Sequence, residues 1–241
     1  MSFNKEADFE HALIDLLKNK GWEDKVLKNY TEAELIRNWA DILFENNRGI
    51  DRLNDFPLTD GEMQQIIEQI KTLKTPLRLN GFINGGSVAI IRDNPNDATH
   101  FGKEVSLKIY ERREIAAGQS RYQIAQQPKF PTKSKIMNDR RGDLMLLVNG
   151  MPVIHIELKN SGVPISQASN QIKKYAGEGI FTGLFSLIQI FVAMNPEETR
   201  YFANPGPEGK FNSNYYFHWA DFNNEPINDW KQIGSTLLSI P

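Results

Sequence analysis

Residues 143–159, with the sequence DLMLLVNGMPVIHIELK, constrain the fold of this chain more than any other segment. Two apolar runs flank Asn149-Gly150, a dipeptide typical of tight β-turns, so the segment predicts two antiparallel strands. The first strand begins at the acidic Asp143, and the second ends in Glu157-Leu158-Lys159. Two carboxylates can hold a hard divalent cation, and a nearby ammonium group stabilises negative charge on a phosphate. The segment therefore predicts a site suited to cation-assisted phosphodiester cleavage.

Both carboxylates can contact one cation only if they share a face of the sheet. Side chains alternate faces along a strand, and a regular two-residue loop would pair residue 142 with Glu157. Asp143 would then point to the opposite face. A three-residue Val148-Asn149-Gly150 loop, with Gly150 left-handed in a bulge, restores the shared face. We expect that loop, or an irregularity near Gly142 with the same effect; a surface hairpin with charged ends is the alternative.

Composition narrows the functional classes. A chain of 241 residues with 40% hydrophobic and 24% charged residues is typical of a globular protein with one large or two small domains. The absence of cysteine excludes a disulfide framework, a thiolate zinc site and a cysteine nucleophile. The charged, amphipathic N-terminus is not a signal peptide, and the apolar runs are too short to span a bilayer, so we expect a cytoplasmic protein without membrane contact. The net charge of −2 leaves room only for local basic patches.

Helical periodicity dominates the first third of the chain. Apolar residues recur at helical spacing over residues 5–20. Capping-box patterns that begin at Thr31 and Thr59 predict the starts of two further helices. The third helix is expected to end near Thr75-Pro76, because proline disfavours helical geometry in the residue before it.

Strand-like runs follow, and they are short, rich in apolar and β-branched residues, and bounded by turn formers or charges. They comprise residues 87–91, 105–110, 121–125, 143–148, 153–158, 187–194 and, more weakly, 215–219. Helices are predicted at 166–177 and 229–238. Helices followed by a mixed sheet with an inserted helix indicate an α/β or α+β domain behind a helical N-terminal region.

The helix predicted at 166–177 places Gln171 and Tyr175 on one face, where they can bind a phosphate or hold the lysine. A surface glutamine and a half-buried tyrosine are the simpler interpretation. A basic cluster lies upstream and comprises Lys129, Lys133, Lys135, Arg140 and Arg141, with Lys173 and Lys174 on the later helix. Phosphate contacts and a solvated loop explain this cluster equally well. His155 shares the face of Glu157; a packed histidine is favoured over a base or a residue supporting the ligands.

Four motifs together resemble the nuclease core of the PD-(D/E)xK superfamily. They are Arg141-Gly142-Asp143, Asn149-Gly150-Met151-Pro152, Glu157-Leu158-Lys159-Asn160 and Gln171-x-x-x-Tyr175. More narrowly, RRGDLMLLVNGMPVIHIELKNSG, QASNQIKKY and FSLIQIFVAMN resemble the N-terminal nuclease domain of the restriction (R) subunit of type I restriction-modification enzymes. The resemblance is closest over residues 121–204 and looser before them. Glycine stands at position 142, where the superfamily name has proline.

The resemblance implies a restriction-endonuclease-like core with a mixed central sheet flanked by helices, in a single endonuclease domain over residues 1–241. Residues 1–76 would form a mainly helical region, 77–205 the nuclease core and 206–241 an extension. It implies that Asp143, Glu157 and the main-chain carbonyl of Leu158 bind Mg2+, and that Lys159 orients or activates the attacking water. Gln171 and Tyr175 match the helix motif that supports cleavage. An acid on the first helix, Glu10 or Glu6, can complete such sites.

The implied activity is that of a type I site-specific deoxyribonuclease, which hydrolyses phosphodiester bonds of duplex DNA with methyltransferase and specificity subunits as partners. ATP would act through a motor domain, because residues 206–211, GPEGKF, lack the spacing of a nucleotide-binding loop. The chain is then a fragment of a longer subunit or a stand-alone relative, and its apolar ending favours a fragment. The alternatives are a DNA repair or junction-resolving nuclease of the same superfamily and a non-cleaving DNA-binding or assembly module.

Overall fold

The computed structural model describes residues 2–49, 52–109, 120–131 and 140–240. Its helices are α1 (Glu6–Lys18), α2 (Glu32–Asn47), α3 (Asp60–Thr72), α4 (Pro76–Asn84), α5 (Ser166–Gly177) and α6 (Trp230–Thr236). Its strands are β1 (Val26–Lys28), β2 (Ser87–Ile91), β3 (Glu104–Lys108), β4 (Tyr122–Gln126), β5 (Lys129–Phe130), β6 (Arg140–Arg141), β7 (Leu144–Val148), β8 (Met151–Leu158), β9 (Ile190–Met194) and β10 (Thr199–Ala203). Short 3-10 helices lie at Gly183–Leu187 and Ser213–Tyr215.

A six-stranded mixed sheet forms the centre of the fold, in the order β1-β4-β7-β8-β9-β10. β1 runs parallel to β4, and β8 runs parallel to β9. The pairs β4-β7, β7-β8 and β9-β10 are antiparallel. Two small antiparallel ladders, β2-β3 and β5-β6, lie outside this sheet. The mixed sheet with flanking helices confirms the predicted fold class.

The sheet separates two hydrophobic cores, because successive side chains of β7 and β8 point to opposite faces. Leu144 and Ile156 pack in one core with apolar residues of α1 and α6. Met145 and Leu147 pack in the larger core with α2, α3 and α5. Each strand of the hairpin is therefore covered on both sides, which explains why its sequence is apolar almost throughout.

The predicted helix starts at Thr31 and Thr59 are confirmed. Each threonine side chain accepts a hydrogen bond from the main-chain N–H three residues later, and the glutamate at that position bonds back. These capping boxes satisfy N–H groups that the first turn of a helix leaves without partners. In the described residues, no helix has both the length and the apolar character that crossing a bilayer would require.

The elements α4, β1 and β10 were not predicted from the sequence. Pro76 does not close a helical region but opens α4, where Thr75 caps the helix and proline occupies the first turn. β1 has only three residues and pairs with β4, so the region 1–76, predicted to be mainly helical, contributes a strand to the central sheet.

Two predicted strands differ in extent. Ile190 begins the strand predicted from residue 187, because residues 183–187 form a 3-10 helix. The strand predicted at 105–110 is Glu104–Lys108, and residue 110 lies outside the described residues. The strand predicted at 215–219 was wrong: there Phe217 forms a single bridge to Tyr201 after a 3-10 turn.

Candidate functional site

The loop between β7 and β8 differs from the predicted three-residue form. Val148 pairs with Met151, so Asn149 and Gly150 alone make the turn. Both have positive φ, 50° and 84°, as the tight hairpin turn requires. The predicted bulged loop, with its irregularity near Gly142 as the alternative, was therefore wrong in its position.

A β-bulge further along β8 supplies the one extra residue that the two-residue turn does not. Leu147 pairs with Pro152, whereas Leu146 pairs with Ile154, so Val153 is inserted between the two pairs. Pro152 has no N–H to donate to the ladder, which is why an interruption is tolerated there. The bulge shifts the register so that Asp143 is level with Glu157 on one face of the sheet.

The two carboxylates lie at different depths. The Glu157 side chain is fully buried, and neither of its oxygens has a hydrogen-bond partner among the described residues. Asp143 is partly exposed, and its Oδ2 accepts a hydrogen bond of 2.6 Å from the main-chain N–H of Leu158. Because only Asp143 is exposed, the carboxylate pair meets solvent on the Asp143 side.

Burial and mutual repulsion disfavour the charged form of both groups. Burial raises the pKa of Glu157 to about 8, against the opposing charge of Lys159. Burial, together with the negative charge of Glu157, raises the pKa of Asp143 well above its usual value. Two neighbouring acids with raised pKa values indicate that the protein does not itself supply enough positive charge for them.

Lys159 reaches the edge of this pair but does not bind it closely. Its Nζ lies 3.9 Å from Glu157 Oε1, while it donates to the carbonyl of Leu158 at 2.5 Å and to Glu6 Oε2 at 3.2 Å. The side chain is only 12% exposed. The ammonium is thus held beside the carboxylates, where it can interact with negative charge on a bound group.

These donors fit a hard divalent cation. The unpartnered oxygens of Glu157, the free oxygen lone pairs of Asp143 and the Leu158 carbonyl are the oxygen ligands that Mg2+ prefers. Within the described residues, no group of three or more His, Cys, Asp or Glu side chains is arranged to hold a metal. The donors available to a cation at this place are two carboxylates and one carbonyl, which are oxygen ligands of the kind that Mg2+ accepts.

Gln171 and Tyr175 form a chain of hydrogen bonds to Arg141 in β6, two residues before Asp143. Gln171 Nε2 donates to Tyr175 Oη at 2.7 Å, and that hydroxyl donates to the carbonyl of Arg141 at 2.9 Å. Burial raises the pKa of Tyr175 to about 12, so its hydroxyl keeps the donated proton. Both residues thereby fix the backbone two residues before Asp143 and do not contact the carboxylates.

The basic residues near the site are not equivalent. Arg140 makes a two-pronged ion pair with Glu178, with both N···O distances at 2.9 Å, so its guanidinium already has a carboxylate partner. Arg141 has an exposed side chain. Lys173 Nζ lies over the ring of Tyr216 at 5.3 Å from the ring centre. Lys133 and Lys135 of the predicted basic cluster lie outside the described residues.

His155 is packed in a ring of aromatic side chains, as the sequence favoured. Its centroid lies 5.8 Å from Phe130, 5.6 Å from Phe181 and 6.1 Å from Phe191. Burial lowers its pKa to about 4, so the imidazole is neutral near pH 7. The aromatic surroundings come from β5, β9 and residues near 181, which no local sequence pattern had linked to the hairpin.

A comparison with known protein families agrees with this geometry. The family model described as Type I restriction enzyme R protein N terminus matches residues 4–210. The chain belongs to this family. The carboxylate hairpin, the lysine and α5 all lie within the matched residues of this R-subunit N-terminal domain.

Curated relatives are endonuclease subunits of type I restriction enzymes. The SsaAORF53P subunit of Staphylococcus saprophyticus is 32% identical over 238 residues, covering 99% of this chain and 23% of the relative. The SauMSSORF170P subunit of Staphylococcus aureus is 29% identical with the same coverage. The EcoprrI subunit of Escherichia coli is 29% identical over 244 residues, 98% of this chain and 71% of the relative. The R-subunit N-terminal domain thus spans about a quarter of the staphylococcal relatives.

The first helix of the R-subunit domain brings two acids close to the hairpin. Glu10, the predicted additional acid, is buried and accepts hydrogen bonds from the side-chain amides of Gln126 and Gln127. Glu6, one turn earlier, contacts Lys159 instead. Gln127 was missed by sequence reasoning. It has a φ of 50°, and its N–H donates to the carbonyl of Asp143 at 2.8 Å, so it links Glu10 to the site through the backbone.

Proposed function

We propose that this R-subunit N-terminal domain is a Mg2+-dependent endonuclease domain that hydrolyses phosphodiester bonds of duplex DNA. The observation that carries the proposal is the pair of Asp143 and Glu157 on one face of the sheet, with unpartnered Glu157 oxygens and Lys159 beside them. Its relatives are named endonuclease subunits, which supports a nuclease role.

The cation ligands and Lys159 have separate proposed roles. Asp143, Glu157 and the Leu158 carbonyl would hold the cation, and its binding would displace the proton that Glu157, with a pKa of about 8, retains near neutral pH. When bound, Mg2+ supplies Lewis-acid polarisation of the scissile phosphate and of the attacking water. Lys159 orients that water and stabilises the additional negative charge of the pentacovalent transition state, because its ammonium is fixed at the edge of the carboxylates.

The surrounding groups keep this arrangement rigid. Tyr175 and Gln171 hold the carbonyl of Arg141, which limits movement of the chain leading into Asp143. The exposed Arg141 side chain is available to a DNA phosphate, whereas Arg140 would first have to leave Glu178. We therefore propose Arg141 as the DNA contact of this pair, with Arg140 as a structural residue in the absence of DNA.

The context of cleavage is also a proposal. The relatives' names describe subunits of type I restriction enzymes, which supports a multisubunit assembly. We propose that methyltransferase and specificity subunits provide site recognition, and that an ATP-driven motor elsewhere in the subunit delivers DNA to this domain. Cutting would then require ATP in the whole enzyme although the nuclease residues do not bind it.

The test separates cutting from the motor. Asp143→Ala is introduced into the whole restriction enzyme, and plasmid cleavage and ATP hydrolysis are measured on the same preparation. We expect cleavage to be lost and ATP hydrolysis to be kept, with Asp221→Ala, an exposed acid on a C-terminal turn, as the matched control. Preserved cleavage in the Asp143→Ala enzyme would contradict the proposal and favour a non-cleaving module.

A further inference from the structure

His155 is a buried polar side chain that the site described so far does not use. It is fully buried, and neither Nδ1 nor Nε2 has a hydrogen-bond partner among the described residues. A neutral imidazole carries one N–H, and leaving that donor unsatisfied in a protein interior is costly. The imidazole therefore needs an acceptor within reach.

The nearest polar group is the candidate cation ligand itself. His155 Nε2 lies 3.3 Å from Glu157 Oε2, slightly beyond and out of line with a good hydrogen bond. Phe130, Phe181 and Phe191 surround the remainder of the ring and offer no acceptor. A small rotation of the Glu157 carboxylate would align one of its unpartnered oxygens with an N–H on Nε2.

Gly142 fixes where the histidine ring can lie. A Cβ at position 142 would approach His155 Cε1 to 2.5 Å, so glycine leaves the space that the imidazole occupies. The ring thus comes from β8, next to Glu157, and packs against the backbone directly before Asp143. The imidazole therefore lies between the segment that carries Asp143 and the strand that carries Glu157. This location allows the side chain to set the relative position of the two carboxylates.

We propose that His155 is a positioning residue, which donates from its Nε2–H to Glu157 Oε2 and orients that carboxylate toward the bound cation. The inference deepens the proposed function and rests on it, since it assigns a role toward the same cation. Carboxylate ligands of metals are commonly held by such neighbours, and removing one typically lowers metal affinity by about 10–100-fold. Gly142 has a corresponding role, because it makes room for the ring.

Three variants separate hydrogen bonding from packing. His155→Leu removes the donor, and His155→Gln keeps an N–H near the position of Nε2. Phe181→Leu disturbs the same aromatic surroundings and leaves the histidine in place. Mn2+ binding to the 241-residue chain is measured by calorimetry, and thermal unfolding is recorded for each variant.

We expect His155→Leu to weaken Mn2+ binding by about 10–100-fold and His155→Gln to bind close to the wild-type level. Phe181→Leu should lower the unfolding temperature with little change in Mn2+ affinity. Wild-type affinity in His155→Leu, or an equal loss in His155→Leu and Phe181→Leu, would overturn the inference, because packing alone would then account for the effect.

Imidazole nitrogen chemical shifts provide a readout that packing does not change. The signal of His155 is assigned among the four histidines by its absence in the His155→Gln spectrum. With Mg2+ present, we expect the tautomer that carries hydrogen on Nε2, with a shifted resonance in Glu157→Gln. A proton on Nδ1 would contradict the inference, since Nε2 would then have nothing to donate.

The two proposals fail in different ways. Wild type that binds Mn2+ and Glu157→Ala that does not would support the cation site, whatever His155 does. An unaffected His155→Leu variant in that situation removes only the role of the histidine. If wild type binds no Mn2+, the proposed function loses its cation, and the positioning role is overturned with it.

Discussion

Two clusters of buried acidic side chains in this molecule differ in the source of their positive charge. In the arginine cluster (Arg92, Glu62 and Asp97) all three side chains are fully buried. Arg92 Nη1 lies 2.6 Å from Glu62 Oε2, and Nε lies 3.0 Å from Asp97 Oδ2. Although burial opposes it, hydrogen bonds from Arg92 and His100 hold the pKa of Asp97 below its usual value.

The carboxylate pair (Asp143 and Glu157) has no such partner inside it. Lys159 stays 3.9 Å from Glu157, and both pKa values are raised. A guanidinium in contact with buried carboxylates already compensates their negative charge. Buried carboxylates without such a partner favour binding of a cation from solution. In this fold, a buried guanidinium in contact with both acids distinguishes the structural acidic cluster from the candidate cation site.

The largest loss of stability is expected when the guanidinium of Arg92 is removed from the arginine cluster. Arg92→Met leaves Glu62 and Asp97 buried without their partner, which should lower the free energy of unfolding by about 3–5 kcal/mol. Arg48→Met is the matched control, because that arginine pairs with Glu45 and Asp55 on the surface. Urea unfolding followed by tryptophan fluorescence gives both values. Equal, small losses would contradict the assignment of a structural role to the arginine cluster.

The carboxylate pair should make the metal-free protein sensitive to pH. The pKa of Glu157 is about 8 in the folded chain against 4.5 ordinarily, so the folded state holds a proton that the unfolded state has released. Stability must therefore fall as pH rises from about 4.5 to about 8. Each pKa unit corresponds to about 1.4 kcal/mol, which makes the total a few kcal/mol.

Glu157→Gln tests the origin of that slope. The variant should flatten the decline in unfolding free energy between pH 5 and pH 8, and saturating Mg2+ should flatten it in wild type, because bound cation stabilises the carboxylate. Glu198→Gln, which alters a surface acid paired with Arg200, should leave the slope unchanged. Stability that rises with pH in the metal-free wild type would contradict the raised pKa.

The smallest effect concerns the hydrogen-bond chain on α5. Tyr175→Phe removes the bond to the Arg141 carbonyl and should cost about 1 kcal/mol of stability. Mn2+ affinity should change little, because Tyr175 holds the backbone and does not contact the carboxylates. Tyr215→Phe, at an exposed position, is the control for the urea titration and the calorimetry. A loss of cation binding as large as that of Glu157→Ala would place Tyr175 among the ligands instead.

The sequence predicts the hairpin because its signals are local. The turn at Asn149-Gly150 and the apolar runs beside it determine two strands, and the requirement for a shared face predicts that an irregularity exists. Its place depends on Pro152, whose missing N–H permits the bulge at Val153. That proline was available in the sequence and is the signal that would have located the bulge.

Other parts of the fold depend on contacts between residues far apart in the chain. The arginine cluster joins α3 to the segment after β2. The aromatic side chains around His155 come from residues 130, 181 and 191. Periodicity and caps describe one element at a time and cannot pair such residues. The same limit applies to β1, whose three residues become a strand only because β4 lies beside them.

Anomalous scattering from crystals grown with Mn2+ locates a bound cation relative to the two acidic clusters. We predict a peak within ligand distance, about 2.0–2.3 Å, of one oxygen each from Asp143 and Glu157 and of the Leu158 carbonyl. The Glu157→Ala crystal should lose that peak and keep the fold. A peak beside Glu62 and Asp97, or none near Asp143 at saturating Mn2+, would contradict the distinction between the two clusters and the nuclease site built on it.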